Sequence, residues 1–316
     1  MTNTANIDFK DSREFADICG VNDKNLHIIE RLLGHQVFSR GGTQLAVQVE
    51  DQKKISLFRQ LISELVQHRN QGQTIKPSLI ESVFSSLTEN PQRIQELRNK
   101  SIDIPQGFSR IFPRSYNQSV FLDALNQNDL IFGVGPAGTG KTFLAVAHAL
   151  AQVLNHQKRR LILTRPVVEA GESLGFLPGD LSQKLNPYLK PLYDAMDSLV
   201  PGEIINRLEL NRVIEIAPLA YMRGRSLKDS YIILDEAQNT TREQMKMFLT
   251  RLGEGTTAVI TGDITQIDLP KHGSSGLIHA TKILKEVDGI HFSYFQSRDV
   301  VRSALVKKII AAYENE

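Results

Sequence analysis

The sequence predicts an α/β protein in which a parallel sheet dominates the longer C-terminal part and a small α+β unit precedes it. Three observations lead there. Apolar strand candidates at 130–134, 160–164, 212–216, 230–234, 257–262 and 289–294 are mostly separated by helical patterns. The first of them runs into a glycine-rich octapeptide, and the fourth ends on two adjacent carboxylates. With 316 residues, 41% of them hydrophobic, the chain can bury a substantial core, with room for a main domain of about 200 residues and a smaller one.

In chain order, residues 1–15 read as a polar tail and 16–88 as the small unit. Leu26, Ile29, Leu32 and Leu33 share a helical face that Gly34 ends. Val37–Arg40, Gly41-Gly42 and the alternating Gln44–Val49 read as a hairpin. A helix with Ile55, Phe58, Leu61, Ile62, Leu65 and Val66 on one side follows, and Pro77 opens another that carries Ile80, Val83, Phe84 and Leu87. Residues 89–113 are polar and Pro-containing, hence a linker. The main domain runs over 114–316.

The octapeptide Gly135-Pro136-Ala137-Gly138-Thr139-Gly140-Lys141-Thr142 follows the apolar run Leu130–Val134 and precedes an Ala- and Leu-rich helix. This strand–loop–helix context makes it a phosphate-binding P-loop. Its glycines allow the tight turn that aims backbone N–H groups and the helix N-terminus at a polyphosphate. Lys141 reaches the terminal phosphates and Thr142 offers a hydroxyl to Mg²⁺. Tyr231-Ile232-Ile233-Leu234 then makes a buried parallel strand whose C-terminal end presents Asp235 and Glu236, where open α/β sheets bind ligands. Asp235 is the expected Mg²⁺ partner. Glu236 is placed to orient and deprotonate water, a role that ATP hydrolysis needs and a small-molecule kinase does not. Thr240 and Glu243 read as a capping box for a helix with Met245, Phe248, Leu249 and Leu252 on one face, ended by Gly253.

Composition excludes several classes. No apolar stretch approaches the roughly 18 residues of a membrane span, and the start has no export-signal pattern. A single Cys19 cannot form an internal disulfide, and the eight histidines show no metal-ligand spacing with it. A reducing, cytoplasmic setting fits. The net charge of +2 does not by itself announce a nucleic-acid binder.

From about Pro113 to Tyr313 the chain closely resembles the PhoH-like ATPase family. The matching segments are Gly135–Thr142, Arg165–Glu172 with Leu174–Gly179, Ala217–Arg225, Asp235–Gln238, Gly262–Gln266 and Asp299–Arg302. It departs from the family pattern at Ser303, Ser226 and Asn186. The resemblance implies a RecA-like core similar to superfamily 1 helicases, using ATP and Mg²⁺. The N-terminal unit resembles the KH-like domain of the YbeZ branch. That branch implies RNA as a partner, a YbeY-type endoribonuclease as another, and a part in ribosomal RNA maturation.

The resemblance also assigns roles. Gln118 stands where the helicase glutamine reads adenine through its amide, although it equally suits a plain helix N-terminus. Gln266 is placed to sense the γ-phosphate or its water, with Asp263 as a structural partner. Two-lobed helicases bring arginines to the γ-phosphate from a second lobe that this chain lacks. Arg223, Arg225 and Arg302 are therefore candidates to act in trans within a ring of identical subunits such as a hexamer; Arg302 alternatively faces solvent on its helix. Arg165 and the segment 166–191 can line a single-strand path with Phe176 or Tyr188 stacking on bases, against the alternative that both aromatics simply pack. A KH module carries a Gly-x-x-Gly loop, and the residues near Gly34, Gly41 and Gly42 do not spell it, which leaves the N-terminal unit open to a docking role. The reading is an Mg²⁺-dependent ATPase acting on RNA, with helicase activity as its strongest form. The rival is an ATP-switched scaffold that recruits a nuclease without unwinding RNA.

Overall fold

A computed structural model of the chain describes residues 3–89, 94, 97, 100–167, 181–269, 275–301, 306 and 309. The chain divides into two compact units, Met1–Lys100 with Phe112–Ser119, and Ser101–Ile111 with Val120–Glu316.

The first unit has the order β1 (Asn3–Asp8), α1 (Ser12–Cys19), α2 (Lys24–Leu33), β2 (Val37–Arg40), β3 (Gln44–Val49), α3 (Gln52–Asn70) and α4 (Pro77–Glu89). The strands form an antiparallel sheet in the order β1-β3-β2. Its core gathers Ile18, Ile29, Leu45, Val47, Phe58, Leu61, Leu65, Ile80 and Val83, drawn from the apolar stripes of its helices and the inner face of β3. Gly34 ends α2 in the left-handed region, φ 68°, its N–H on Glu30 O.

The polar tail expected over 1–15 is corrected here, because the described residues from 3 on hold a strand and the start of a helix. β1 pairs with β3 from Asn3↔Val49 to Asp8↔Gln44. Ala5 and Phe9 are buried while Thr4, Asn6 and Asp8 are exposed, a period-2 pattern in which small and polar residues hide the strand signal. The linker expectation is corrected as well, because β4 (Ile102–Ile104) and β5 (Ser109–Ile111) form an antiparallel hairpin inside 89–113. Ile102 and Ile104 point one way into the core of the second unit, with Asp103 exposed between them.

The second unit continues with α5 (Tyr116–Gln127), whose first turn belongs to the other unit, and with β6 (Leu130–Val134), α6 (Lys141–Leu154), β7 (Arg160–Arg165), α7 (Leu181–Asp197) and α8 (Gly202–Leu210). Then come β8 (Ile214–Pro218), β9 (Ser230–Leu234), α9 (Arg242–Leu249), β10 (Thr257–Gly262), α10 (Gly276–Ile283) and β11 (Ile290–Tyr294). The six long strands form one sheet in the order β11-β6-β10-β9-β7-β8, and every neighbouring pair is parallel. Alternation along each strand feeds two cores. Ile131, Leu161, Leu163, Tyr231, Ile233 and Val259 face one layer with α6 and α7. Phe132, Ile162, Ile232, Leu234 and Ile260 face the other, against Met245 and Phe248 of α9 and Leu277 of α10. Burial on both faces is what a parallel sheet requires, and it explains the near-continuous apolar runs.

The helix after the acidic strand starts one residue later than the sequence suggests. Thr241, not Thr240, is the N-cap of α9, and Gln244, not Glu243, completes the capping box. The Thr240 hydroxyl is already used, donating to Ala237 O in the preceding 3₁₀ turn at 2.7 Å.

Candidate nucleotide site

The carboxyl ends of β6, β7, β9 and β10 converge on one edge of the sheet and carry the phosphate loop, Arg165, Asp235 and Asp263 respectively. Between β6 and α6 the loop takes left-handed or otherwise restricted backbone at Gly135, Gly138 and Gly140, φ 150°, 78° and 81°. A Cβ at Gly135 would sit 2.5 Å from Phe295 O, so the close approach of the β11 exit admits only glycine. The loop is tied down on two further sides. Ala137 N donates to Asp263 Oδ2 at 2.8 Å, and Val301 N donates to Gly138 O at 2.8 Å.

Lys141 is buried, and burial lowers its pKa against the pull of Asp263, Asp235 and Glu236. Its ammonium donates to Gly135 O at 2.6 Å, Pro136 O at 2.7 Å and Thr139 Oγ1 at 3.3 Å, acceptors that a phosphate group can replace. Thr142 Oγ1 donates to Asp235 Oδ1 at 2.6 Å, so the two expected metal partners do meet. The pair offers hard oxygens beside a phosphate cradle, a donor set that suits Mg²⁺ completed by phosphate oxygens and water. Asp235 is 2% exposed and also accepts from Thr261 Oγ1 at 2.6 Å and from Arg165 Nε at 2.8 Å.

Glu236 has left-handed backbone, φ 53°, an uncommon conformation for a residue with a side chain. That turn carries the carboxylate to the rim of a cavity of about 440 Å³ lined by Arg165, Tyr188, Asn239, Gln266 and Asp268 among others. Gln266 therefore shares a cavity with the proposed base, and its N–H donates to Asp263 O at 3.1 Å.

Gln238 is a residue of the site to which the motif reading gave no role. Its buried amide donates to Glu236 Oε2 at 2.7 Å and accepts from Asp263 N at 3.0 Å, linking the acidic strand end to the residue that braces the phosphate loop. Its place two residues after Glu236 was the available signal, masked because glutamine carries no charge.

Gln118 and Arg225 are both engaged within the chain. Gln118 Oε1 accepts from Arg114 N at 2.6 Å and its own N–H donates to Ser115 Oγ at 3.3 Å, which is helix-capping work. Arg225 is held by both oxygens of Glu215, at 2.5 and 2.8 Å, and that bond raises its pKa further. Arg223 follows a 3₁₀ turn with extended backbone. Arg302, Ser303 and Phe176 lie outside the described residues, as does the side chain of Asn186. In the first unit the α1–α2 junction, Gly20-Val21-Asn22-Asp23, comes nearest to a Gly-x-x-Gly loop. Gly20, Asn22 and Asp23 all have positive φ there, with a carboxylate at the last position. Among the described residues no helix is long and apolar enough to cross a membrane.

A family model described as PhoH-like protein matches residues 110–314. A PhoH-like protein of Mycobacterium tuberculosis (strain ATCC 25618 / H37Rv) is 46% identical over 300 residues, covering 94% of this chain and 84% of its own. One from Bacillus subtilis (strain 168) is 44% identical over 311 residues, covering 98% and 97%. Protein PhoH of Escherichia coli (strain K12) is 45% identical over 208 residues, 65% of this chain and 58% of its own. Among solved structures, the Sulfolobus solfataricus SWI2/SNF2 ATPase core in complex with dsDNA aligns at 14% identity over 57% of this chain and 44% of that one. Its TM-score is 0.34.

Proposed function

Because the chain belongs to the PhoH-like protein family, we propose that it is an Mg²⁺-dependent ATPase whose turnover is coupled to binding or remodelling of RNA. The observation that carries the ATPase reading is the Thr142–Asp235 bond beside Lys141, with Glu236 one residue further on at the rim of a cavity. Thr142 and Asp235 would hold Mg²⁺, which when bound draws charge from the phosphate oxygens. Lys141 exchanges the loop carbonyls for phosphate oxygens. Glu236 takes the proton of the attacking water on one carboxylate oxygen while Gln238 fixes the other.

RNA coupling is the finer part of the proposal and is supported by the family resemblance and by the cationic, aromatic lining that Arg165 and Tyr188 give the cavity. A cytoplasmic ring of subunits and a YbeY-type endoribonuclease partner belong to the same proposal. The scaffold reading keeps one specific support, an apolar groove of about 560 Å³ between α9 and α10 with Ile283 59% exposed, a surface that hydrolysis does not need.

Turnover and nucleotide binding, each measured with and without single-stranded RNA, test the proposal. Lys141→Ala should lose binding or turnover, and Glu236→Gln should bind normally while turning over about 10²-fold more slowly. RNA should raise turnover, and the stimulation should weaken with salt as counterion release predicts. Near-normal hydrolysis by Glu236→Gln removes that residue from the mechanism, and turnover indifferent to any RNA leaves the scaffold reading.

A further inference from the structure

Asp235 is saturated by its own protein. Both threonine hydroxyls, of Thr142 and Thr261, donate to Oδ1, each at 2.6 Å. The other oxygen, Oδ2, accepts two arms of one guanidinium, Nε of Arg165 at 2.8 Å and its Nη2. The remaining nitrogen, Nη1, donates to Tyr188 O at 3.0 Å, and Glu236 Oε1 lies 3.8 Å from Nη2. The side chain is 13% exposed. A planar fork gripped on three sides and mostly buried is fixed in direction, and its charge is only partly screened.

Phosphate-loop chemistry explains the threonine and the acid, yet it asks for no cation on the acid's second oxygen. A permanent positive charge there does two things. It adds to Lys141 in compensating a buried carboxylate, and it repels any divalent ion that shares the same carboxylate.

Resting on the ATPase reading, we infer that Arg165 is a positioning residue that sets the magnesium threshold of the nucleotide site. It holds Asp235 in the metal-free protein, and its charge raises the Mg²⁺ concentration needed to complete nucleotide binding. Arg165 stands at the end of β7 and Asp235 just beyond β9, and those strands are direct neighbours, with Thr164 paired to Leu234. The juxtaposition follows from the strand order.

The test is a binding measurement that needs no turnover. A fluorescent ADP analogue is held at fixed concentration and Mg²⁺ is titrated, followed by anisotropy, for the wild-type chain, Arg165→Gln and Arg165→Lys, with folding of each checked by circular dichroism. Removing the charge in Arg165→Gln should lower the half-saturating Mg²⁺ concentration about tenfold and leave affinity in EDTA within about twofold. Arg165→Lys keeps a charge but loses the fork, so its threshold should fall only about two- to threefold. If Arg165→Gln does not fold, the lysine variant alone decides. A threshold that is unmoved or raised in the folded variants overturns the inference, because a purely structural strut would change stability without changing the Mg²⁺ requirement. Absence of nucleotide binding by the wild-type chain at any Mg²⁺ concentration would instead overturn the ATPase reading itself.

Discussion

Thr142 and Asp235 are 93 residues apart in the chain, yet the Thr142 hydroxyl donates to Asp235 Oδ1 at 2.6 Å. The bond joins the first turn of α6 to the end of β9 across the intervening strand β10, and Thr261 of β10 donates to the same oxygen. Thr142→Val removes the donor and the metal-facing oxygen while keeping the shape. It should weaken Mg²⁺-dependent nucleotide binding by about 10-fold or more and leave Mg²⁺-free binding little changed, as titration of a fluorescent nucleotide with and without EDTA would show. Equal losses in both conditions would mean that Thr142 serves the loop and not the metal.

Gly135→Ala should harm both fold and site. The residue has φ 150°, and a Cβ there meets Phe295 O at 2.5 Å and Phe295 Cβ at 2.7 Å. Relief requires β11 or the phosphate loop to move, so unfolding should cost about 1–3 kcal/mol less than in the wild-type chain. Nucleotide affinity should fall with it. Denaturant unfolding and equilibrium binding check the two halves, and a neutral alanine variant would show that the loop relaxes freely.

His148 gives the protein a pH dependence of calculable sign. It is buried, with Nδ1 2.9 Å from the Tyr231 hydroxyl and Nε2 3.2 Å from Asn126 Oδ1, and burial pushes its pKa down to about 4 from 6.5. Between those values the unfolded chain binds a proton that the folded chain refuses. This contribution is therefore fully present above about pH 6.5 and is lost as pH falls, by about 2 kcal/mol between pH 7 and pH 5. The wild-type chain should lose that much more stability over the interval than His148→Gln does. Parallel losses in the two would show that other groups set the acid sensitivity.

Asp23 is strained in the α1–α2 turn, at φ 56°, beside Asn22 at φ 53°. Asp23→Gly removes the left-handed penalty but loosens the unfolded chain, so the net gain should be about 0.5 kcal/mol. The substitution also turns Gly20–Asp23 into a Gly-x-x-Gly sequence without a carboxylate. Affinity for single-stranded RNA should then rise several-fold if this turn meets a phosphate backbone. Unchanged RNA affinity alongside the stability gain would leave the turn with no part in binding.

The arginines separate by mixing experiments. Arg225 rests on Glu215 of its own chain and is part-exposed. Mixing Arg225→Ala with Lys141→Ala should restore about a quarter of wild-type turnover in a ring, because a quarter of random interfaces combine an intact loop with an intact neighbour's arginine. The same mixture made with Arg302→Ala tests the other candidate in the same way. Full activity of a dilute monomer would dismiss both subunit sharing and the ring.

What the sequence determined by itself was local. A phosphate loop needs glycines at set spacings, a buried parallel strand needs an unbroken apolar run, and helix faces repeat at 3.6 residues, so Gly135–Thr142, Tyr231–Leu234 and the α3 stripe were legible without coordinates. β1 was not, because its alternation is carried by Ala5, Ile7 and Phe9 among polar neighbours, and it earns strand geometry only by pairing with β3. The capping register of α9 depended on where the Thr240 hydroxyl was already engaged. The Arg165 grip on Asp235, the Gln238 bridge and the Arg225–Glu215 pair were decided by tertiary structure alone. Each joins groups through the strand order β10-β9-β7-β8 or through a turn's direction, and a linear pattern contains neither, since hydrogen-bond partners are chosen by position in space and not by distance along the chain.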